Sequence, residues 1–243
     1  MPASPARMNE SGPVQIQLAG EWLVPLCEGA LWWPEREVLV VSDLHLEKGS
    51  SFAAHGQMLP PYDTDATLAQ IEALCQRHRP RTVISLGDSF HDRSAELRLS
   101  AQSTARIQAL TTAHDWVWVE GNHDPDPPAH LGGRATHCLE IGALSFRHEP
   151  TTTHGEISGH LHPAARVSGR ARSIRRRCFA SDGERLVMPA LGAFTGGLNV
   201  LDPAFQAAFP EGLIAFVMGT DRVFAMTQRQ LLPDRPRAQP WRL

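Results

Sequence analysis

The chain has 243 residues, of which 42% are hydrophobic and 20% are charged, and its formal net charge at pH 7 is −3. This composition is typical of a soluble globular protein, and the slightly acidic balance excludes a generally basic nucleic-acid binder, so any such role would need a local patch. The apolar runs are shorter than the ~20 residues that cross a bilayer, and the four dispersed cysteines predict reduced thiols in a cytoplasmic protein.

The first predicted elements are strands, followed by a helix. Period-two alternation predicts a strand at 14–18, and residues 21–33 predict short strands around a glycine turn. The continuous aliphatic run at 38–41 predicts a buried strand. Residues 50–64 are rich in small and turn-forming residues, which predicts a loop. Apolar residues at helical spacing then predict a helix over 65–78.

The middle of the chain continues this alternation of strand and helix. Aliphatic runs predict strands at 82–89, 115–124, 144–150 and 155–163, and a helix is predicted over 96–112. An alternation of this kind is typical of an α/β domain.

The C-terminal part supplies further strands. They are predicted within 185–200 and 213–227. Because no internal repeat and no linker divides the chain, we expect a single domain over 13–232. The flanking residues 1–12 and 233–243 are expected to be a disordered tail and a loose tail.

Five consecutive predicted strands end in Asp, Asn or His. In chain order these residues are Asp43 with His45, Asp88, Asn122 with His123 and Asp124, His148, and His160 with His162. Single polar residues at strand ends are common as caps and turns, but five such ends in a row favour a functional site. Because ligand sites of open α/β sheets lie beyond the carboxyl ends of the strands, we expect these side chains to converge.

The residue types indicate a metal site. Carboxylate, amide and imidazole ligands without thiolates suit Mn²⁺, Fe²⁺ or Zn²⁺. Asp43 and His45 are two residues apart, as are His160 and His162, and in an extended chain this spacing places each pair on one side. A carboxylate shared by two cations would allow them to clamp a phosphate group for in-line attack.

Short motifs carry a family resemblance. The sequences DLH, GD, GNHD, RHEP and GHLH occur in this order between residues 43 and 162. As a set they resemble the calcineurin-like metallophosphoesterase superfamily. The longer phrases DLHLEKGSSFA, LPPYDT, LGDSFHD and RRRCF resemble its bacterial ligase-associated DNA-damage-response endonucleases. The resemblance implies an α/β fold of two packed mixed β-sheets flanked by helices, in a four-layer sandwich.

The resemblance also implies roles for these residues around two divalent cations, with Mn²⁺ expected and Zn²⁺ or Fe²⁺ as alternatives. One cation would be held by Asp43, His45 and His162. The other would be held by Asn122, His148 and His160. Asp88 would bridge the two cations, and His123 would donate a proton to the leaving oxygen, oriented by Asp124.

Two neighbouring residues are candidate substrate contacts. His91 and Asp92 follow the bridging Asp88 closely in sequence. A solvated loop pair is an equally good interpretation, and the sequence leaves this choice open.

A basic run follows the last histidine of the site. Residues 166–177 contain six arginines and no acid, and they begin four residues after His162. An exposed loop of this kind can be an ordinary solvated surface. Guanidinium groups beside a phosphate-cleaving centre would also suit the backbone of a nucleic acid. The candidate DNA-binding residues are Arg170, Arg172, Arg175, Arg176 and Arg177.

These observations together favour a dinuclear-metal phosphodiesterase that hydrolyses DNA as an endonuclease in bacterial repair. The family resemblance implies a functional association with a DNA ligase, a helicase and an exonuclease. The alternatives are an enzyme of the same fold that acts on nucleotides or other small phosphoesters, and a non-catalytic binding module. The module is disfavoured because such proteins lose ligands or the GNH histidine, and both are present here.

Overall fold

Two β-sheets form the framework of the protein. The structure, a computed structural model, describes residues 6–7, 13–57, 59–60, 62–124, 126, 128–169 and 172–234. The expected tails at 1–12 and 233–243 lie largely outside these residues. The structure describes only the strand Ala6–Arg7 of the first tail and Pro233 and Asp234 of the second.

The first sheet has eight described strands, which lie side by side in chain order. They are β1 (Ala6–Arg7), β2 (Gln15–Leu18), β3 (Glu21–Pro25), β4 (Leu31–Trp33), β5 (Val38–Val41), β6 (Thr82–Leu86), β7 (Asp115–Val119) and β8 (Arg134–Thr136). Pairing is antiparallel from β1 to β5 and parallel from β5 to β8. The parallel pairing brings the carboxyl ends of β5, β6 and β7 to one edge.

The second sheet has ten described strands. They are β9 (Leu139–Ile141), β10 (Leu144–Phe146), β11 (Glu156–Ser158), β12 (Pro163–Val167), β13 (Ile174–Ser181), β14 (Arg185–Val187), β15 (Leu198–Asn199), β16 (Ile214–Met218), β17 (Val223–Thr227) and β18 (Leu231–Leu232). The order is β15-β12-β13-β14-β11-β10-β9, and β16 to β18 attach to this path. The sheet is mixed, and β10 and β11 run in parallel.

Four α-helices occur in the described ranges. They are α1 (Lys48–Ala54), α2 (Asp63–His78), α3 (Ala101–Ala113) and α4 (Pro203–Ala208). Short 3₁₀ turns are found at Pro34–Arg36, Ala95–Arg98, Ala129–Leu131 and Gln228–Gln230. None of the helices in these ranges is long and apolar enough to cross a membrane.

The core clusters define four layers. Successive side chains of a strand face opposite sides, so Val38 and Val40 of β5 pack between the sheets, where they meet Phe146 and Phe179 of the second sheet. The alternate residues of β5 pack against apolar residues of α2 and α3. On the far side of the second sheet, Phe205 of α4 packs against β13 and β16. The layers are therefore helices, sheet, sheet and helix, as the family resemblance implies.

In the first half of the chain, two predicted elements differ in kind from the structure. The loop expected at 50–64 contains most of α1. This segment is rich in Gly and Ser, and contacts from residues outside α1 stabilise its helical conformation. Gly49 donates its N–H to the Asp63 carboxylate over 2.9 Å. The single helix expected over 96–112 is a 3₁₀ turn followed by α3, because the Ser100 side chain caps α3 by accepting the Ser103 N–H.

Candidate metal centre

Loops from both sheets meet at one end of the molecule. The loops after β5, β6 and β7 carry Asp43, His45, Asp88 and Asn122, and the loops after β10 and β11 carry His148, His160 and His162. Two groups of three side chains have ligand atoms that lie within 4.8 Å of one another: Asp43, His45 and His162, and Asp88, His148 and His160. The predicted convergence of the strand ends is therefore present.

The first group surrounds a fully buried carboxylate. His162 Nε2 lies 2.9 Å from Asp43 Oδ1. His45 Nε2 lies 3.5 Å from His162 Nε2. The other oxygen, Asp43 Oδ2, accepts the Ser42 hydroxyl at 2.5 Å and the His160 N–H at 3.2 Å. The carboxylate is thus fixed by neighbours on one side and faces two imidazoles on the other.

An amide oxygen lies between the two imidazoles of the second group. Asn122 Oδ1 lies 2.9 Å from His148 Nε2 and 3.0 Å from His160 Nδ1. The two ring nitrogens are themselves 3.2 Å apart. Three lone-pair atoms this close together need shared protons or a cation between them.

Asp88 connects this second group with His123. Its Oδ2 lies 3.3 Å from His148 Nε2. Its Oδ1 accepts the backbone N–H of His123 at 2.9 Å. Because Asp88 is only 3% exposed, its two oxygens are held in a fixed orientation within the site.

The ligands stand on an unusual backbone. Five of the seven have left-handed φ angles, between 44° and 65°: Asp43, His45, Asp88, His160 and His162. This conformation is uncommon for residues other than glycine, although Asp, Asn and His tolerate it best. The Asp-x-His and His-x-His pairs are therefore aimed by tight turns after the strands, and the extended geometry assumed from the sequence is wrong.

A glycine makes room for one ligand. Gly87 precedes Asp88 and has a φ of +72°, and a Cβ at this position would lie 2.3 Å from Nδ1 of His148. Such a contact is too short for any side chain, so the backbone of the first sheet touches the imidazole of the second. This close approach fixes the distance between the two sheets at the site.

Burial and charge set the ionisation of the ligands. Burial opposes the ionisation of Asp43, but the hydrogen bond and charge of His162 lower its pKa below the usual range. For Asp88, burial is likewise outweighed, chiefly by His148, and the pKa is about 2. Burial lowers the pKa of His45 to about 3. Both carboxylates are therefore ionised and His45 is neutral at neutral pH, which are the forms that bind cations.

His148 behaves differently. Burial alone would lower its pKa, but the hydrogen bond to Asp88 and the charges of Asp43 and Asp88 raise it to about 9. The buried imidazolium supplies positive charge between two buried carboxylates, as a bound metal cation would. The residues present thus fit two divalent ions. Oxygen and imidazole donors are gathered there, and the two carboxylates carry more negative charge than the protonated His148 can balance.

His123 borders the metal centre with a defined tautomer. The His91 carbonyl lies 2.8 Å from Nδ1, and because a carbonyl can only accept, Nδ1 carries the proton. Nε2 lies 3.9 Å from Asp88 Oδ2, and the side chain is 41% exposed. Nε2 is therefore the atom that can exchange a proton with a bound substrate.

The expected support of His123 by Asp124 takes another form. Asp124 Oδ2 accepts the N–H groups of Ser89 and Phe90, at 2.8 and 3.1 Å. Its Oδ1 is buried without a hydrogen-bond partner, so no direct bond joins it to the His123 ring among the described residues. Asp124 instead holds the turn that follows Asp88. Burial is the main cause that raises the pKa of Asp124 to about 7.

His91 lies inside the site. Its ring stacks on that of His123, with centroids 5.8 Å apart, and its Nδ1 is buried without a partner. With His45 and His123 it forms a third group of ligand atoms within 4.8 Å. Asp92 points away and pairs with Arg98 at 2.6 Å. The sequence missed that Phe52 of α1 packs against His91, because α1 itself had no helical signal.

The arginine-rich run is a β-hairpin. Strands β12 and β13 pair antiparallel, and Arg172 and Arg176 are exposed near and on the second strand. Arg175 is paired with Asp234 at 3.2 Å. Arg177 donates to backbone carbonyls within the protein. Arg170 lies outside the described residues. Arg175 is exposed although it is paired, whereas Arg177 is only partly exposed, so the expectation of an exposed residue is wrong for Arg177.

The chain resembles one protein family and two solved structures. A family model described as calcineurin-like phosphoesterase matches residues 36–185, which include all seven candidate ligands. The nuclease MPE from Pseudomonas putida has a similar structure, with a TM-score of 0.67 and 27% sequence identity, and the match covers 87% of this chain and 98% of that one. Yfce, a phosphoesterase from E. coli, is 14% identical over 78% of this chain and 98% of that one, with a TM-score of 0.42. No curated protein matches the chain.

Proposed function

Because the chain belongs to the calcineurin-like phosphoesterase family, we propose that it is a two-metal phosphodiesterase that hydrolyses DNA as an endonuclease. Family membership supports phosphoester hydrolysis. The observation that carries the proposal is the pair of ligand groups, one of which contains Asp43 and the other Asp88. A binding module would need neither group complete.

Each group has a role toward the cations. Asp43, His45 and His162 would hold one ion, and the remaining group would hold the other: Asn122, His148 and His160, with Asp88 shared. When bound, the cations supply Lewis-acid activation of water and neutralise the charge of the phosphate. The buried carboxylates keep these positions fixed before substrate arrives, so no reorganisation is needed during the reaction.

His123 would protonate the leaving oxygen. Its Nδ1–H is held by the His91 carbonyl, so only Nε2 can gain and lose a proton, and the side chain is 41% exposed. Transfer of the Nε2 proton to the departing alkoxide leaves a neutral imidazole, which water can recharge. His91, stacked against His123, is placed to keep that ring from rotating.

DNA is the substrate that the neighbouring surface favours. The motifs resemble those of PdeM, the ligase-associated endonuclease, and a 27%-identical structural relative is named as a nuclease. The exposed Arg172 and Arg176 would contact phosphates that flank the scissile one. On the same resemblance we propose Mn²⁺ as the metal, and DNA repair alongside a DNA ligase, a helicase and an exonuclease as the role.

A second candidate function is hydrolysis of nucleotides or other small phosphoesters. It is favoured by the pairing of Arg175 with Asp234, which removes positive charge from the hairpin. Among the described candidates, Arg172 and Arg176 are exposed and not paired with an acid, and two such arginines give a weaker hold on a long polyanion than five would.

One assay separates these functions. Metal-stripped protein would be loaded with Mn²⁺, Zn²⁺, Fe²⁺ or Mg²⁺ and offered a closed single-stranded DNA circle, duplex DNA, nucleotides and a nitrophenyl diester. We expect Mn²⁺ to restore cleavage of the circle, which has no ends and so reports endonuclease action alone. Asp88→Ala prepared in parallel controls for contaminating nucleases. Hydrolysis of nucleotides without cleavage of the circle would establish the second candidate, and bound Mn²⁺ with no turnover would establish a binding module.

A further inference from the structure

Arg177 makes a set of contacts that a DNA-binding arginine could not keep. Its Nη1 donates to the carbonyls of Ala190 and Leu191, at 2.9 and 3.2 Å. Its Nη2 donates to those of Gly192 and Ala193, at 2.9 and 3.4 Å. The guanidinium therefore binds four successive carbonyls, which all point to the same side of the chain.

The opposite side of this segment contacts the metal centre. Leu191 donates its N–H to the Ser42 carbonyl at 2.8 Å, and Gly192 donates to the Asp43 carbonyl at 3.2 Å. The approach is close, since a Cβ on Gly192 would lie 2.2 Å from the Leu44 carbonyl oxygen. The segment thus lies between Arg177 and the turn that carries Asp43 and His45.

Two buried carbonyls of this segment, those of Ala190 and Leu191, depend on Arg177. Among the described residues, Arg177 forms no ion pair with an acid, and burial lowers the pKa of its guanidinium. In the described residues its positive charge is balanced by carbonyl dipoles, and no acid takes up the N–H donors of its guanidinium group. Removal of the side chain would leave the buried carbonyls of Ala190 and Leu191 without a donor, which makes the conformation unfavourable. Gly192 O would keep the Thr195 N–H at 3.3 Å, and Ala193 is exposed to solvent.

We propose that Arg177 is a positioning residue for the first ligand group. It holds the segment 190–193 against Ser42 and Asp43, and this packing keeps Asp43 in its left-handed conformation with φ of 51°. Arg177 would act through the backbone and touch neither cation nor substrate. The inference rests on the proposed function for its catalytic consequence, whereas its consequence for metal binding is independent of the substrate.

The control is another largely buried arginine of the same sheet. Arg185 lies on β14, its side chain is 13% exposed, and it bonds to Asp182 at 2.7 Å. Replacement of either arginine by Ala should lower thermal stability. Only replacement of Arg177 should alter the metal centre.

The test uses the full chain and three variants: Arg177→Ala, Arg177→Lys and Arg185→Ala. In metal-free protein, hydrogen exchange at the Leu191 and Gly192 amides should accelerate in Arg177→Ala, accelerate less in Arg177→Lys and stay unchanged in Arg185→Ala. Mn²⁺ affinity, measured by calorimetry, should fall by roughly 10–100-fold, as for other groups that support metal ligands. With a nitrophenyl diester, kcat should fall and KM should change little. Lys keeps the charge but not the fork, so it should restore only part of the affinity.

Two results would overturn the proposal. Arg177→Ala that is folded and less stable, with wild-type Mn²⁺ affinity and amide exchange, would make the residue merely structural. Loss of DNA binding with normal Mn²⁺ affinity would make it a phosphate contact. If Arg177→Ala does not fold, Arg177→Lys decides, and wild-type exchange and affinity in that variant reject the inference. Should no variant, and not even the wild type, cleave DNA, the proposed function fails while the Mn²⁺ measurements still judge Arg177.

Discussion

The two sheets supply different chemistry to the metal centre. The loops of the first sheet provide both carboxylates, Asp43 and Asp88, together with His45, and all three are buried. The loops of the second sheet provide imidazoles alone, and these range from the buried His148 to the exposed His160. Negative charge is thus fixed in the interior by the first sheet, whereas the second sheet completes the site toward solvent. We infer that the first sheet decides whether cations bind and that the second tunes how they bind.

The largest effect should come from the shared carboxylate. Asp88→Ala removes the carboxylate that we propose is shared by the two cations, so both cations should be lost together with measurable hydrolysis. His160→Ala, its counterpart on the second sheet, should retain one cation and weaken the other by at least the roughly 10–100-fold that supporting groups contribute. Elemental analysis and nitrophenyl diester turnover measure both. Two cations retained in Asp88→Ala would reverse the roles of the sheets.

The next effect concerns proton transfer. His123→Ala should keep both cations, yet slow DNA cleavage by about 10²–10⁴, the usual contribution of a positioned acid. The loss should be smaller with a nitrophenyl diester, because that leaving group hardly needs protonation. Single-turnover rates on both substrates check this. Equal losses on the two substrates would indicate a role in binding, and a lost cation would make His123 a ligand from the first sheet.

The contact between the sheets can be tested with two glycines of similar backbone. Gly87 and Gly56 have φ angles of +72° and +74°, but only at Gly87 would a Cβ strike a side chain, that of His148. The left-handed backbone should cost either change to Ala about 1–2 kcal/mol. The clash with His148 should add to this cost in Gly87→Ala alone. Mn²⁺ affinity should fall in Gly87→Ala and stay unchanged in Gly56→Ala. Unchanged affinity in both would mean that His148 can move without harm.

The smallest effect should come from the exposed arginines of the second sheet. Replacing Arg172 and Arg176 by Ala should reduce the salt dependence of single-strand binding by about 0.7 per lost phosphate contact, hence about 1.4. Cation content should not change. Arg222 and Arg229, also exposed, provide a charge-matched double variant. A similar decrease in the salt dependence of that control would mean that the effect comes from the overall charge of the protein and not from specific phosphate contacts.

The sequence predicted the strand ends because local pattern and chemistry coincide there. A buried aliphatic run followed by Asp or His marks β5, β6 and β7, and their parallel pairing brings those ends together. Motif order extended the same reasoning to the second sheet. The four-layer arrangement followed from the family resemblance and could not have come from periodicity alone.

What the sequence could not predict depends on contacts between distant residues. The helix α1 has little intrinsic helical tendency and relies on Asp63, beyond its own C-terminus. Arg177 looks the same in sequence as Arg176, yet one meets the segment 190–193 and the other meets solvent. The role of Asp124 was misread because its carboxylate reaches back to the turn after Asp88.

The left-handed turns under the ligands limit how this site could be transplanted. Asp, Asn and His are the residue types that such turns accept most readily apart from glycine. The residue types that can bind the metals are therefore also those that tolerate this backbone conformation. Glu in place of Asp43 would change the reach of the carboxylate and also sit poorly in its turn, where φ is 51°. For protein design, copying the seven side chains onto ordinary loops would misdirect them. The transferable unit is the set of turns, with Gly87 included.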